Sequence, residues 1–148
     1  MVYRIYVEKK AGLQGEANSL LSDIHSFLNI PAVKNVRVIN RYDVENIDSE
    51  LFENCKTSVF SEPQLDNICE ELKISENEYV FAVEYLPGQF DQRADSAAQC
   101  IQLISQKDKP LVRTAKVYVV NGGLSNQEIS QKLVVSISTT KAHVHNIL

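Results

Sequence analysis

Apolar and polar positions along this chain fall into two alternating rhythms, one of strands and one of helices. The opening, Met1 to Lys10, alternates as a strand does, with charges at Arg4, Glu8, Lys9 and Lys10. Ala17, Leu20, Leu21, Ile24, Phe27 and Leu28 then fall at i, i+3, i+4, i+7, i+10 and i+11, the spacing of one buried helix face. Pro31 marks the exit from that helix, and Val36 to Tyr42 reads as a second strand. Asp48-Ser49 reads as the start of another helix carrying Leu51, Phe52, Cys55, Val59 and Phe60 at helical spacing. Pro63 stops it before a short segment with Leu65, Ile68 and Leu72, expected to pair as an edge strand.

The second half repeats this order. Tyr3, Val7 and Glu8 lie 76 positions before Tyr79, Val83 and Glu84, and Gly12 lies 76 before Gly88, so one Y-x-x-x-V-E pattern followed by Gly opens both halves. Ala94, Ala97, Ala98, Ile101 and Ile104 form a second helix face of smaller residues, which allows closer approach to a sheet. Pro110 follows, then a strand over Val112 to Val120 bounded by the turn Asn121-Gly122-Gly123. Ser125 and Glu128 have capping-box spacing, which predicts a further helix over Ser125 to Leu133. The fold class expected is α+β: two β-α-β-α-β units, residues 2–73 and 79–123, related by a pseudo-twofold repeat with helices on one sheet face, followed by a helical C-terminal tail.

Totals narrow the functions. At 148 residues, 44% hydrophobic and 23% charged, the chain fits one globular unit. A net charge of -4 supplies no overall field for a polyanion, so bulk nucleic-acid binding is not expected. No apolar run approaches the roughly 20 residues that span a bilayer, and no signal peptide opens the chain, so a cytoplasmic protein without membrane contact is expected. Cys55, Cys69 and Cys100 are odd in number and widely spaced, and are expected to be buried, reduced thiols.

The run from Phe81 to Gln102, containing Tyr85-Leu86-Pro87-Gly88-Gln89-Phe90-Asp91-Gln92-Arg93-Ala94-Asp95-Ser96, resembles a signature of the clostridial and streptococcal large single-chain form of phosphoribosylformylglycinamidine synthase. Val2 to Lys10, Asn40 to Val44 and Val59 to Pro63 extend the resemblance over residues 1–123. It implies a PurS-like N-terminal domain, similar to a fused dimer of the small PurS protein. In that family the whole enzyme uses ATP to activate the formamide oxygen of formylglycinamide ribonucleotide, and ammonia from a glutaminase domain displaces the phosphate. The resemblance implies no catalysis by this stretch, no cofactor bound to it (ATP and Mg would bind elsewhere in the full enzyme), and partners in the synthetase and glutaminase domains.

The loop from Pro87 to Ser96 fits such a contact role. Gly88 permits unusual dihedrals, Asp91 and Ser96 can cap a helix, and Arg93 offers a bidentate fork for a carboxylate or phosphate. Gln89, Asp91, Gln92, Arg93 and Ser96 are therefore the candidate substrate-cleft or domain-interface residues. The same composition is compatible with a capped loop whose Arg93 pairs with Asp95 or Glu84.

Residues 124–148 depart from that family, which would close with a strand near an Asn-Pro-Val. The segment from Gly123 to Leu148 resembles part of a LuxR-type helix-turn-helix, with Ile129 and Leu133 anchoring a first helix and Ile137 to Leu148 as the recognition helix. By that resemblance Thr139, Lys141, His143 and His145 would be the DNA contacts, and the alternative function is a transcription regulator with a truncated motif. The module's flanking helices are not expected here, and Lys132 and Lys141 against Glu128 give little attraction for DNA. The junction near Gly122 and Gly123 fits a chimera. Loss of the closing strand would leave a sheet edge open to self-association. A third reading is a stand-alone PurS-like scaffold.

No metal site is expected: His143 and His145 would diverge on a helix, and His25 lies off its apolar stripe. No phosphate loop, G-x-S-x-G or H-E-x-x-H occurs. Cys100 falls within a predicted helix, where packing is its expected role.

Overall fold

A computed structural model describes residues 1–26 and 33–122, together with the backbone of 143–146. The protein is α+β. Strands β1 (Tyr3–Lys9), β2 (Asn35–Glu45), β3 (Asp66–Cys69), β4 (Glu78–Glu84), β5 (Leu111–Asn121) and β6 (His143–Asn146) form one sheet in the order β3-β1-β2-β5-β4-β6. Every neighbouring pair is antiparallel. Helices α1 (Gly15–Ser26), α2 (Ser49–Cys55) and α3 (Gln92–Ser105) complete the described elements.

The two longest strands, β2 and β5, pair along their whole lengths at the middle of the sheet. Their β-branched residues make them good central strands: Val36, Ile39, Val44, Val117, Val119 and Val120 are all buried. Asn40 stands opposite Lys116, and these two residues are themselves 76 apart. The flanking ladders recur at the same interval. Tyr3 pairs with Val44, and Tyr79 pairs with Val120; Tyr6 pairs with Cys69, and Ala82 pairs with His145. Adding 76 to both members of each first pair gives the second.

The turns leaving β1 and β4 also correspond. Leu13 N–H donates to the Lys10 carbonyl at 3.0 Å, and Gln89 N–H to that of Leu86 at 3.0 Å. Gly12 at φ 86° and Gly88 at φ 88° occupy the third position of these turns, where positive φ excludes most other residues. One extra residue then enters the second half before its helix, so Ala17 and Ala94, like Ile24 and Ile101, stand 77 apart.

Each helix lies over the central strand of its own half, α1 on β2 and α3 on β5, and its buried residues also reach the core of the other half. Ile24 of α1 shares a core cluster with Val33 and Val36 of its own half and with Tyr79, Phe81, Val83, Tyr118 and Val120 of the other, whereas Ala97 and Ile101 of α3 lie with Ile5, Val7, Tyr42 and Val44, with Val112 of β5 packed against them. Phe52 and Cys55 of α2 join the latter cluster. Burying an aliphatic side chain of this size contributes about 1.5–3 kcal/mol, and here it is realised only when both halves are folded.

The other sheet face carries Ile39, Val80, Ala82, Val117 and Val119, all buried. The connection from β3 to β4 crosses it: Leu72 packs on that cluster, and Arg37 donates to the Lys73 carbonyl at 3.2 Å. Further along the same face Arg41, with a side chain only 7% exposed, pairs with Glu84 across Ala115, which both residues flank in the ladder. The small Ala115 leaves room for that contact.

Several expected elements end differently. Helix α2 stops at Cys55, whose carbonyl accepts from both Val59 N–H (2.9 Å) and Phe60 N–H (3.1 Å), so a tight turn rather than a longer helix delivers Phe60 to the core. Ile104 is 56% exposed, because the buried stripe of α3 ends at Ile101 just before Gln106 closes the helix in a left-handed conformation. Cys55 is buried, but Cys69 and Cys100 are exposed free thiols. Phe27 and Leu28 lie outside the described residues.

The largest correction concerns the tail. His143–Asn146 is a strand paired with Phe81–Glu84 of β4, not the end of a recognition helix. The outer edge of β4 carries N–H and C=O groups that a strand satisfies and a helix cannot. That stretch of edge is therefore not open. The expected helix over Ser125 to Leu133, and the rest of the tail, lie outside the described residues.

Candidate functional site

A cavity of about 460 Å³ lies between the first turns of α3 and the middle of the sheet. Gln92, Arg93 and Ser96 line it from the helix, and Thr114 and Lys116 from β5, with Asn40 from β2. Strand alternation puts Asn40, Tyr42, Thr114 and Lys116 on the helix-bearing face, and Arg41 and Glu84 on the other. Glu84, which Arg41 engages, also lines the cavity, and Lys116 is ion-paired with Glu16, so acidic groups stand beside both lining cations.

Asp91 holds the helix in place. One carboxylate oxygen accepts from Ala94 N–H at 3.0 Å as the N-cap; the other accepts from the Thr114 N–H at 3.0 Å and its hydroxyl at 2.7 Å. The β4–β5 ladder ends at Glu84 and Ala115, so the next β5 amide, that of Thr114, would lack a partner without this carboxylate. Gln89 is likewise turned inward, its side-chain oxygen accepting from Leu86 N–H at 2.8 Å. The five candidate residues thus divide. Gln89 and Asp91 fix the loop and the helix start, while Gln92, Arg93 and Ser96 line the cavity.

Arg93 pairs with neither Asp95 nor Glu84. Asp95 is taken by Lys109 at 2.9 Å and by Gln99 at 2.8 Å, and the hydrogen-bond partner of Arg93 among the described residues is the Tyr42 hydroxyl at 3.5 Å, the outer limit for such a bond. Burial opposes the Arg93 charge, but the Tyr42 hydroxyl and the fields of Glu16 and Asp91 outweigh it and hold its pKa above the ordinary arginine value.

A second cavity, about 250 Å³, lies under the start of α1 and shares Asn40 and Arg93 with the first. Its α1 wall presents Glu16, whose carboxylate binds Lys116 across the middle of the sheet. The 77-residue helix interval places Arg93 where the first half has Glu16, and the 76-residue strand interval places Asn40 where the second has Lys116. One diagonal is a closed ion pair. The other sets a guanidinium beside Asn40, whose buried amide oxygen has no hydrogen-bond partner.

Sequence reasoning missed Asn40, Tyr42, Thr114 and Lys116, because strand residues contribute to this cavity only once β2 and β5 pair. The repeat was the available signal, since Asn40 and Lys116 fall at the interval found from Gly12 and Gly88. Of the residues assigned to DNA contact, Thr139 and Lys141 lie outside the described residues, and His143 and His145 stand opposite Glu84 and Ala82 in the β4–β6 ladder. His25 donates to or accepts at no metal cluster; its Nε2 bonds the Val33 carbonyl at 2.6 Å and ties the end of α1 to the approach to β2. Among the described residues no group of three His, Cys, Asp or Glu could hold a metal, and no helix is long and apolar enough to cross a membrane.

Burial raises the Cys55 thiol pKa, and partial desolvation raises that of the otherwise exposed Cys69, which disfavours both thiolates. Comparison with protein-family models, curated proteins and solved structures finds no match to this chain.

Proposed function

We propose that this chain is a non-catalytic, PurS-like domain of the ATP- and glutamine-dependent ligase that converts formylglycinamide ribonucleotide to formylglycinamidine ribonucleotide in cytoplasmic purine biosynthesis. Its task is to brace the synthetase domain and bring the glutaminase domain into register. The observation that carries this reading is the recurrence of strand pairing at 76 residues, with Asn40 opposite Lys116 at the centre. A fused dimer of one small β-α-β-α-β unit would have that register, and such a fusion is what the resemblance of residues 1–123 implies. The ladder pairing β6 with β4, offset by 76 from that pairing β3 with β1, supports extending the duplication into the tail.

The exposed loop side chains Tyr85, Leu86 and Phe90, the last 69% exposed, provide apolar area for a neighbouring domain beside the polar Gln92 and Arg93. The test is complementation. A synthetase of this family deprived of its N-terminal domain should copurify with the 148-residue chain and regain ATP-dependent product formation. Failure of both copurification and rescue would remove the proposal.

A further inference from the structure

On the sheet face away from α1 and α3, the halves also differ in how they use an arginine. In the first half Arg37 donates to the two Glu8 carboxylate oxygens at 3.0 and 2.8 Å and to the Lys73 carbonyl at 3.2 Å. Adding 76 gives Arg113 and Glu84, in the same diagonal relation across β5 and β4. That pair does not form, because Arg41 reaches across the small Ala115 and takes Glu84. The first half has Ile39 in place of Ala115 and Val117 in place of Arg41, so there Glu8 keeps its arginine. Asp43, opposite Arg113 in the ladder, is held by Arg4 at 2.6 and 3.1 Å, with Arg41 at 3.6 Å. The exposed Arg113 is left, among the described residues, with no hydrogen bond or ion pair.

A strand edge is open beside it. Thr114 N–H turns to the β4 side, where Asp91 accepts it, so Val112, two residues earlier, turns its N–H and C=O the same way. The β4–β5 ladder has ended there, and no described strand or loop takes those groups. A cavity of about 750 Å³ fills the gap between residues 112–114 and the loop over residues 85–89, which is fixed by the two bonds between Leu86 and Gln89. Its bordering carboxylates, Asp43, Glu84 and Asp91, are all held by donors, so the Arg113 fork is the unclaimed charge. Exposed Tyr85, Leu86 and Leu111 flank it with apolar surface.

We infer that this gap is a strand-addition site for a partner polypeptide: an extended segment pairs its main chain with Val112 and presents an aspartate or glutamate side chain to Arg113. The residue opposite Arg113 lies on the Arg113 face, and its two neighbours meet the Val112 and Thr114 positions. Arg37 shows the equivalent arginine satisfied, by a carboxylate and by the carbonyl of a segment crossing the same face. The site rests on these contacts and not on the ligase reading, so it is tested on the 148-residue chain alone.

The probe is acetyl-Thr-Val-Glu-Val-Thr-amide, titrated at low salt into the isotope-labelled chain by NMR. It should saturate one site with a dissociation constant of about 1 mM or tighter and shift the amides of Val112 and Arg113 most. The same peptide with Gln for Glu should bind about fivefold more weakly, and Arg113→Gln should erase that difference while leaving the melting temperature near that of the parent. N-methylation of both valines, which removes the donors facing the β5 edge, should weaken binding about fivefold or more. The assignment is overturned by absence of saturation at about 5 mM, by shifts centred elsewhere, or by equal binding of the Glu and Gln peptides. A Glu preference that persists in Arg113→Gln, or full affinity in the N-methylated peptide, overturns it equally.

Discussion

The two halves of this sheet share their strand registers and differ in what they place over the centre. The first half contributes Glu16 and Asn40, the second Arg93 and Lys116, so equivalent positions hold an acid and an amide in one case and two cations in the other. The strands keep buried Val and Tyr in both halves, with Ile in the first and Phe in the second, because the sheet depends on them. The polar residues over the central pair carry no such duty, and there the halves differ. An architecture of matched halves can thus hold an unmatched site. The two halves also share their core, since the clusters around α1 and α3 each draw buried residues from both.

The sharpest way to break that comparison is at the helix anchors. Ile24→Ala and Ile101→Ala each remove a fully buried side chain and should cost about 2–5 kcal/mol in urea unfolding. Amide exchange should report the shared core: Ile24→Ala loosens β4 and β5 together with β2, and Ile101→Ala loosens β1 and β2 together with β5. Local loosening confined to the mutated half would contradict the interlocked packing.

A smaller effect is expected from Asp91, which has no counterpart cap in the first half, where Gln14 donates to the Lys9 carbonyl at 3.0 Å instead. Asp91→Ala removes the α3 cap and leaves the Thr114 amide unsatisfied, for a loss of about 2 kcal/mol by chemical denaturation. Gln14→Ala should cost well under half of that.

The pH response gives the mildest test. Burial, aided by the Glu16 field, pushes the Tyr118 hydroxyl up to about 12, above the ordinary value of 10. Between those values the unfolded chain loses the phenolic proton while the folded chain keeps it. Stability from this group is therefore complete below pH 10 and falls as pH rises toward 12, by at most about 2–3 kcal/mol. Tyr118→Phe should flatten that alkaline slope in denaturation curves collected between pH 9 and 12.

Much of this organisation can be read from the residues. Alternation located β1, β2, β4 and β5 to within a few positions, because half-buried strands must expose one side and hide the other. The stripe through Ala17 and Ile24 located α1, and Gly12 and Gly88 marked turns that need positive φ. Periodicity says which face is buried but not against what, so the sharing of the core between the halves was invisible. Asp91 was recognised as a cap, whereas its second bond to Thr114 depends on where β4 ends. In the tail, the resemblance to a helix-turn-helix implied a helix for residues whose backbone at His143–Asn146 is instead paired with the β4 edge, a long-range partner no local signal reports.

The central claim is that two matched halves form one cooperative unit, and native-state hydrogen exchange across the intact chain tests it most directly. Core amides of both halves, such as those of Ile5 and Val44 in one and Val80 and Val119 in the other, should open with a common free energy, within about 0.5 kcal/mol, and with the same urea dependence. A first half that exchanges through a separate, lower-energy opening while the second stays protected would contradict it.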